Sequence, residues 1–400
     1  VALNPTPFLA FELYLRIVKG NIMDFKLSDD ALAMQASTHK VVNDLLQYEP
    51  HFHETNEVHK DVDATLREMG YYGLSIPEEY GGTPIDKVTL ALVQMELARM
   101  PPQFWPSIRQ ALGPIPQLLL LHGTSTQKDK WLPQIASGAT ACFALTEPDA
   151  GSDVGAMRTT AVKQGDKWVI NGAKTYISNA ERGDVFLVFA KTDKTKGRDG
   201  VSAFLVEPST AGFSMSNPIR TMGFMTNGVY ELTFDHCEVP ADSLLGEENR
   251  GFYYAVSGLN EARVNVGCQA LGSSQIAFEH ALQYSKDRFT FGHPLSSHQV
   301  VQHMLADMAM EQHAARMLLL EAAWGLQNGL DIRLKSSYAK VFCTEAANRI
   351  ADKALQIFGG AGYIKGMVVE RVYRELRVMR IFEGANEIQR NMIAKQLLAH

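Results

Sequence analysis

The 400-residue chain has little cysteine, no long apolar run and no excess of basic charge. Its four cysteines, Cys142, Cys237, Cys268 and Cys343, stand far apart with no Cys-x-x-Cys pair. That spacing excludes a zinc ribbon or a disulfide framework and points to reduced thiols in a cytosolic or matrix-like compartment. A formal net charge of -6 excludes the basic surface that a nucleic-acid-binding protein displays. No stretch reaches the roughly 20 apolar residues of a membrane span, so integral membrane association is not expected. Phe8 to Val18 is apolar but broken by Glu12 and Arg16, and no basic region precedes it, which makes a poor signal peptide. Met23-Asp24-Phe25 reads as a natural start, with residues 1–22 as an N-terminal extension. The His51-Phe52-His53-Glu54 string with His59 lacks the spacing of a helical metal site, and no metal is expected.

What is present is an ordinary core-forming composition, 46% apolar and 20% charged, in a chain long enough for roughly two to four structural units. Residues 23–140 carry helical periodicity, punctuated by Pro101-Pro102, Gly113-Pro114 and Pro116. From 141 to 245 the period becomes two. Thr159 to Val162 and Lys167 to Ile170 flank Gln164-Gly165-Asp166 as a hairpin. Asn171-Gly172 predicts a second tight turn, before Thr175 to Ser178. Further strands are expected at Val185–Ala190, Ser202–Val206 and Tyr230–Phe234, together making a small β-barrel or sandwich. Residues 246–400 return to long helices joined near 289–297 and 327–331, the pattern of an antiparallel bundle. Met304, Met308 and Met317 fall on core faces of these helices. The expected class is therefore α+β and multidomain: helical, β, helical.

Three stretches carry candidate chemistry. In Ile381-Phe382-Glu383-Gly384 a carboxylate follows two apolar residues and precedes a glycine. Apolar neighbours raise a carboxyl pKa, which suits Glu383 to act as a base near neutral pH, and the glycine admits a substrate carbonyl close to the backbone. The same residues also fit a plain helix start with an acid in its first turn. Gly359-Gly360-Ala361-Gly362 follows a helix and has Lys365 where a dinucleotide fingerprint needs its third glycine, so a Rossmann unit is not expected. It reads either as an interhelical turn or as a backbone approach to a pyrophosphate. Leu145-Thr146-Glu147-Pro148-Asp149-Ala150-Gly151-Ser152-Asp153 follows a strand and offers exposed backbone donors, again either an anion-binding loop or an ordinary turn.

Together these stretches resemble the signatures of the acyl-CoA dehydrogenase family. Gln356-Ile357-Phe358-Gly359-Gly360-Ala361-Gly362-Tyr363, Arg288-Phe289-Thr290-Phe291-Gly292 followed by Gln299, Asn171-Gly172-Ala173-Lys174 and Ala306-Asp307-Met308-Ala309 match in the same order, from about Met23 to Leu398. The resemblance implies an N-terminal helical domain, a middle β-domain and a C-terminal four-helix bundle, with FAD between the last two. It implies cofactor contacts from Phe143, Leu145, Thr146, Gly151 and Ser152, and from Tyr176, Ile177 and Ser178 over one flavin face. Arg288, Phe291, Gln299, Gln356 and Gly360 would reach FAD from a neighbouring subunit, and Ala385, Asn386 and Glu387 from their own. A homotetramer built as a dimer of dimers follows. Ser152, Asn260, Arg263 and Gly384 would contact the acyl-CoA substrate, although Asn260 stands where the family more often has aspartate. Gly366 and Ala385 also depart from the family pattern.

The implied reaction is α,β-dehydrogenation of an acyl-CoA thioester to a trans-2-enoyl-CoA. Glu383 would be the base, desolvated by Ile381 and Phe382, with flavin N5 as hydride acceptor and an electron-transferring flavoprotein as electron partner. Glu261 is the rival base, but it is one residue from the position that other members use, about 100° around the helix. An oxidase on the same scaffold, or a non-catalytic scaffold relative, are the alternative readings. Phe104, Trp105 and Leu118 are candidate acyl-pocket bulk or plain core, with short-to-medium straight chains preferred. The compartment would be cytoplasmic in a bacterium and the mitochondrial matrix in a eukaryote.

Overall fold

The computed structural model describes residues 26–223 and 228–399; the extension expected at 1–22 lies outside them. Helix α1 (Asp29–Leu45) starts where Ser28 accepts from the Ala31 N–H, with Asp29 and Asp30 favourable in its first turn. Short helices α2 (Glu49–Thr55) and α3 (Lys60–Glu68) follow. Asp86 caps the Val88 and Thr89 N–H groups of α4 (Lys87–Leu97). The prolines then act as starts: Pro106 opens α5 (Pro106–Ala111) and Pro114 opens α6 (Pro114–His122), where a missing N–H costs nothing. A reciprocal Thr124–Gln127 capping box starts α7 (Ser125–Ala136). The Gln127 amide also donates to the Asp242 and Leu244 carbonyls, tying these helices to the sheet.

The middle of the chain forms one curled seven-stranded sheet, ordered β1 (Thr140–Ala144), β4 (Gly183–Lys191), β2 (Thr160–Gln164), β3 (Lys167–Ser178), β7 (Val229–Pro240), β6 (Phe213–Met215), with β5 (Val201–Val206) also on β4. In β4 and β5 every second residue faces a different core. Val185, Leu187, Phe189, Val201, Ala203 and Leu205 pack on Ile115, Leu119, Trp131 and Ile135 of the helices. Phe186, Val188, Phe204 and Val206 face Trp168, Ile170 and Phe234 inside the sheet. Both faces are covered, so β4 is apolar from Val185 to Ala190 and β5 is apolar but for Ser202, whereas β7 mostly alternates between buried and exposed positions.

The hairpin at Gly165-Asp166 forms as expected. The turn expected at Asn171-Gly172 does not. β3 continues through it, and the pair makes a bulge against β7. Asn171 Oδ1 accepts from the His236 N–H at 2.9 Å. Gly172 sits at φ 146°, where a Cβ would lie 2.5 Å from Thr159 Oγ1. The dipeptide serves a close approach of strands rather than a chain reversal. A second irregularity between Lys174 and Ile177 holds Tyr176 at φ 58°.

Three long helices, α8 (Gly251–Asp287), α9 (Gln299–Gln327) and α10 (Arg333–Phe358), run antiparallel in sequence and carry α11 (Val368–Leu376) and α12 (Asn386–Leu398) on their flank. The connection after α8 holds a small hairpin of β8 (Phe289–Thr290) and β9 (His293–Pro294). α8 is 37 residues long, about 55 Å. From Glu261 to Ser274 it is buried all round, because α4 covers one side and α9 and α10 the other. Gly272 permits this: a Cβ there would lie 2.0 Å from the Met95 carbonyl oxygen. Met308 is fully buried and Met304 and Met317 pack on the cores, as their spacing predicts.

Two buried ion clusters hold the parts together. Arg371 on α11 donates to Glu49 of α2 at 2.6 Å and to Glu375 at 2.8 Å. Lys174 of β3 donates to Glu147 at 2.7 Å and to the Leu145 carbonyl at 3.1 Å, while Glu147 accepts from the Arg158 and Thr159 N–H groups. Replacing Lys174 by Met leaves that carboxylate buried and unpaired. We expect Lys174→Met to cost about 3–5 kcal/mol in denaturant unfolding, and Lys174→Met/Glu147→Gln to recover part of it. A loss below about 1 kcal/mol would mean that the pair is not what holds this turn.

Candidate active site

The chain leaves α11 through a single 3-10 turn, Arg377–Arg380, and reaches α12 by way of Ile381 to Ala385. Glu383 and Gly384 are both left-handed, at φ 55° and 84°. A non-glycine residue in that region is strained unless its surroundings hold it there. They do. The Lys340 ammonium, from α10, donates to the Gly384 carbonyl at 3.0 Å and to Asn386 Oδ1 at 2.8 Å. Gln389, itself bonded by Ser337, donates to the same carbonyl at 3.2 Å. Asn386 Nδ2 donates to Thr344 and Glu345, and Glu345 is held by Arg380 and Arg390. Neither the Glu383 nor the Gly384 N–H bonds to any described residue.

Around the Glu383 carboxyl stand three cations: Arg263 of α8, Lys340 of α10 and Arg109 of α5. Burial raises its pKa above the ordinary glutamate value, and the three cations only partly oppose this. Burial also lowers Arg263, brings Arg109 to about 10 and brings Lys340 to about 8. Arg263 Nη1 donates to Asn260 Oδ1 at 2.9 Å, its Nε has no hydrogen-bond partner, and the residue is 4% exposed. It therefore sits beside the carboxylate rather than out at the surface. Glu261 points away, paired with Lys87 at 2.5 Å.

Several expectations need correcting. Ile381 is 56% exposed and so is a poor apolar shield for Glu383. Asn386 is buried and its side-chain amide bonds Lys340, Thr344 and Glu345, so it braces the loop. The Ile177 side chain lies in the sheet core and cannot cover a flavin face, whereas Tyr176 is 64% exposed beside it. Of the two readings open for Phe104, Trp105 and Leu118, the core one agrees with the structure, where each is almost fully buried.

The other predicted residues fall into two groups. Phe143 and Leu145 pack half-buried on the helix–sheet core. The Thr146 carbonyl accepts from the Thr175 N–H at 2.9 Å, and Glu147 and Ala150 close a tight turn. Gly151 and Ser152 are exposed beyond that turn, and Ser178 is half-buried. Arg288, Phe291, Gln299, Gln356 and Gly360 gather at the opposite end of α8 from its contact with β5, where Tyr284 stacks on Phe358. All five are exposed, Phe291 by 94% at φ 52°. Ala385 caps α12, and Glu387 is exposed in its first turn. Sequence reasoning missed Lys340 and Arg109. Each is a lone cation among small or apolar neighbours on a buried helix, and that isolation was the available signal. A cavity of about 660 Å³ lined by Leu46, Pro50, His53, Ile276 and Met367 includes none of the residues around Glu383.

Family models for the acyl-CoA dehydrogenase N-terminal, middle and C-terminal domains match residues 28–139, 142–237 and 249–398. The chain belongs to the acyl-CoA dehydrogenase family. It is 40% identical over 348 residues to an acyl-CoA dehydrogenase of Bacillus subtilis, covering 86% of this chain and 91% of that one. Butyryl-CoA dehydrogenase from Megasphaera elsdenii superposes with a TM-score of 0.88 at 34% identity, over 94% of this chain and all of that one. A chain from a structure described as the electron transferring flavoprotein of Acidaminococcus fermentans does so at 0.90 and 34%, with 94% of this chain and 100% of that one covered. As an acyl-CoA dehydrogenase the chain is an oxidoreductase, and the three-domain architecture agrees with that of its structural neighbours. Among its described residues no helix is long and apolar enough to cross a membrane.

The dehydrogenase's Glu383 loop depends on one ammonium. Lys340→Met is expected to speed amide exchange of residues 381–386 about ten- to hundredfold, the worth of its charged hydrogen bonds, while the centre of α8 stays protected. Unchanged exchange in the loop would show that Gln389 and Asn386 suffice.

Proposed function

We propose that this dehydrogenase removes the α-proton of an acyl-CoA thioester with Glu383 and converts the substrate to a trans-2-enoyl-CoA. The observation that carries the reading is the pairing, at one point of backbone, of an enclosed carboxylate with N–H groups that no described residue uses. Burial makes the carboxylate a stronger base than an exposed glutamate. An N–H of the Glu383-Gly384 segment would donate to the thioester oxygen, where charge builds as the α-proton leaves. Arg263 and Lys340 hold the carboxylate ionised against the cost of burial.

The residues present fit FAD. Tyr176 and Phe291 are large, exposed and held at positive φ, and a Cβ at Gly151 or Gly360 would meet no atom within 4 Å. When bound, FAD supplies the acceptor for the hydride that leaves the β-carbon. Tyr176, Ser178, Thr146, Gly151 and Ser152 would hold it within one chain. Arg288, Phe291, Gln299, Gln356 and Gly360 would cover it from a neighbouring copy, which implies a homotetramer. An electron-transferring flavoprotein would take the electrons onward.

Glu383→Gln should keep FAD and lose about 10²- to 10⁴-fold in turnover, read as anaerobic bleaching of the flavin by acyl-CoA. Bleaching at the wild-type rate in that variant would remove Glu383 from the role. The base must be ionised to work, so kcat/KM should fall as pH drops through the Glu383 pKa, with the limb above 4.5, the ordinary value from which burial raises it. Arg288→Glu should lower the flavin-to-protein absorbance ratio and shift the assembly to smaller species in sedimentation. A flavin-replete tetramer would argue against the cross-subunit contact.

A further inference from the structure

Both ends of the Glu383 loop are tied to one carboxylate. Helix α10 turns four polar side chains, Lys340, Thr344, Glu345 and Asn348, toward the chain that carries the base. Asn348 donates to the Leu376 carbonyl at 3.1 Å, ahead of the 3-10 turn. Lys340 and Thr344 bond the far side of the loop, at Gly384 and Asn386. Of the four, Glu345 reaches both sides. Its Oε2 accepts from Arg380 Nη2, ahead of Glu383. Its Oε1 accepts from Asn386 Nδ2 at 3.0 Å and from Arg390 Nη2 at 3.2 Å, beyond it.

Only residues 381–385 span the two anchors, and Glu383 and Gly384 among them are left-handed. So short a segment has little freedom once its ends are pinned, and the pinning sets where the Glu383 side chain and N–H stand. Burial raises the Glu345 pKa, but the bonds from Arg380, Asn386 and Arg390 outweigh it and bring the value to about 2. The staple is therefore charged wherever Glu383 is. Its charge acts on Lys340, whereas the charges acting on the Glu383 carboxyl are those of Arg263, Lys340 and Arg109. Glu345 thus bears on the position of the base and not directly on its basicity. The Arg380 and Arg390 side chains are 36% and 51% exposed, so salt screens these pairs and they add little to global stability.

We propose that Glu345 is a positioning residue for the dehydrogenation: it staples the two ends of the loop so that the Glu383 carboxyl is held in line with the α-carbon of the thioester. The inference rests on the reading of Glu383 as the base.

The test is the limiting rate of anaerobic flavin bleaching in the purified holoenzyme, at saturating butyryl-CoA or octanoyl-CoA, whichever bleaches the wild type faster. Glu345→Gln keeps the shape of the side chain and an oxygen for Asn386 but gives up the ion pairs. It should lower that rate about tenfold or more and leave KM within about twofold, because a displaced base slows the step without weakening binding. The acid limb of the rate should stay at its wild-type position. Glu345→Gln/Arg380→Gln should lose less than the product of the two single losses, as members of one unit do. Raising the salt from about 0.05 to 0.5 M should slow the wild type about twofold and leave Glu345→Gln unchanged. Amide exchange over residues 377–386, read without substrate, should quicken in Glu345→Gln on both sides of Glu383. A wild-type bleaching rate in Glu345→Gln would overturn the proposal, and so would a slowed rate with unchanged exchange in the loop. Wild-type bleaching in Glu383→Gln would overturn it by another route: the base would be elsewhere, and quickened exchange in Glu345→Gln would then mark a property of the loop alone.

Discussion

One buried ammonium organises the catalytic end of this protein. Lys340 comes from the middle of α10 and bonds the Gly384 carbonyl and the Asn386 amide oxygen. Those two bonds hold a loop that would otherwise relax from two successive left-handed residues. Among the described residues nothing accepts from the Glu383 or Gly384 N–H group. The energy that keeps the loop strained is supplied by helix packing around Lys340, since a charge that is fully enclosed must keep its partners. The geometry of the Glu383 loop and the packing of the bundle are thus linked.

The same logic applies at the sheet. Lys174 and Glu147 form a buried pair between β3 and the turn after β1, which anchors the turn that leads to the exposed Gly151 and Ser152. Arg371 links α2 to α11 through Glu49 and Glu375. Each cluster joins segments far apart in sequence, and in each every charge has a partner of opposite sign.

Much of the architecture was legible because it is written in periodicity. Helical spacing located α1, α4 and the three long helices, and the period of two located β2, β4, β5 and β7. Local chemistry was less reliable where a tertiary contact competes with it. Asn171-Gly172 has the composition of a hairpin turn, yet the close passage of Thr159 and the bond from His236 make it a bulge in a continuous strand. Ile381 and Phe382 look like the apolar shield of Glu383, but Ile381 faces solvent, and α5, α8 and α10 bring three cations to the buried carboxyl. Asn386 looked like a ligand contact and is a brace.

By itself the sequence determined the order of helical and β regions, the candidate base and its glycine, and the glycine-rich and aromatic stretches that resemble cofactor contacts, because each is a local pattern of residue types. Only the tertiary structure decided which cations surround Glu383. Arg109, Arg263 and Lys340 lie on three helices more than 70 residues apart in the chain. No local pattern encodes their meeting; it follows from how α5, α8 and α10 pack, and burial there raises the Glu383 pKa while the three cations partly oppose the rise.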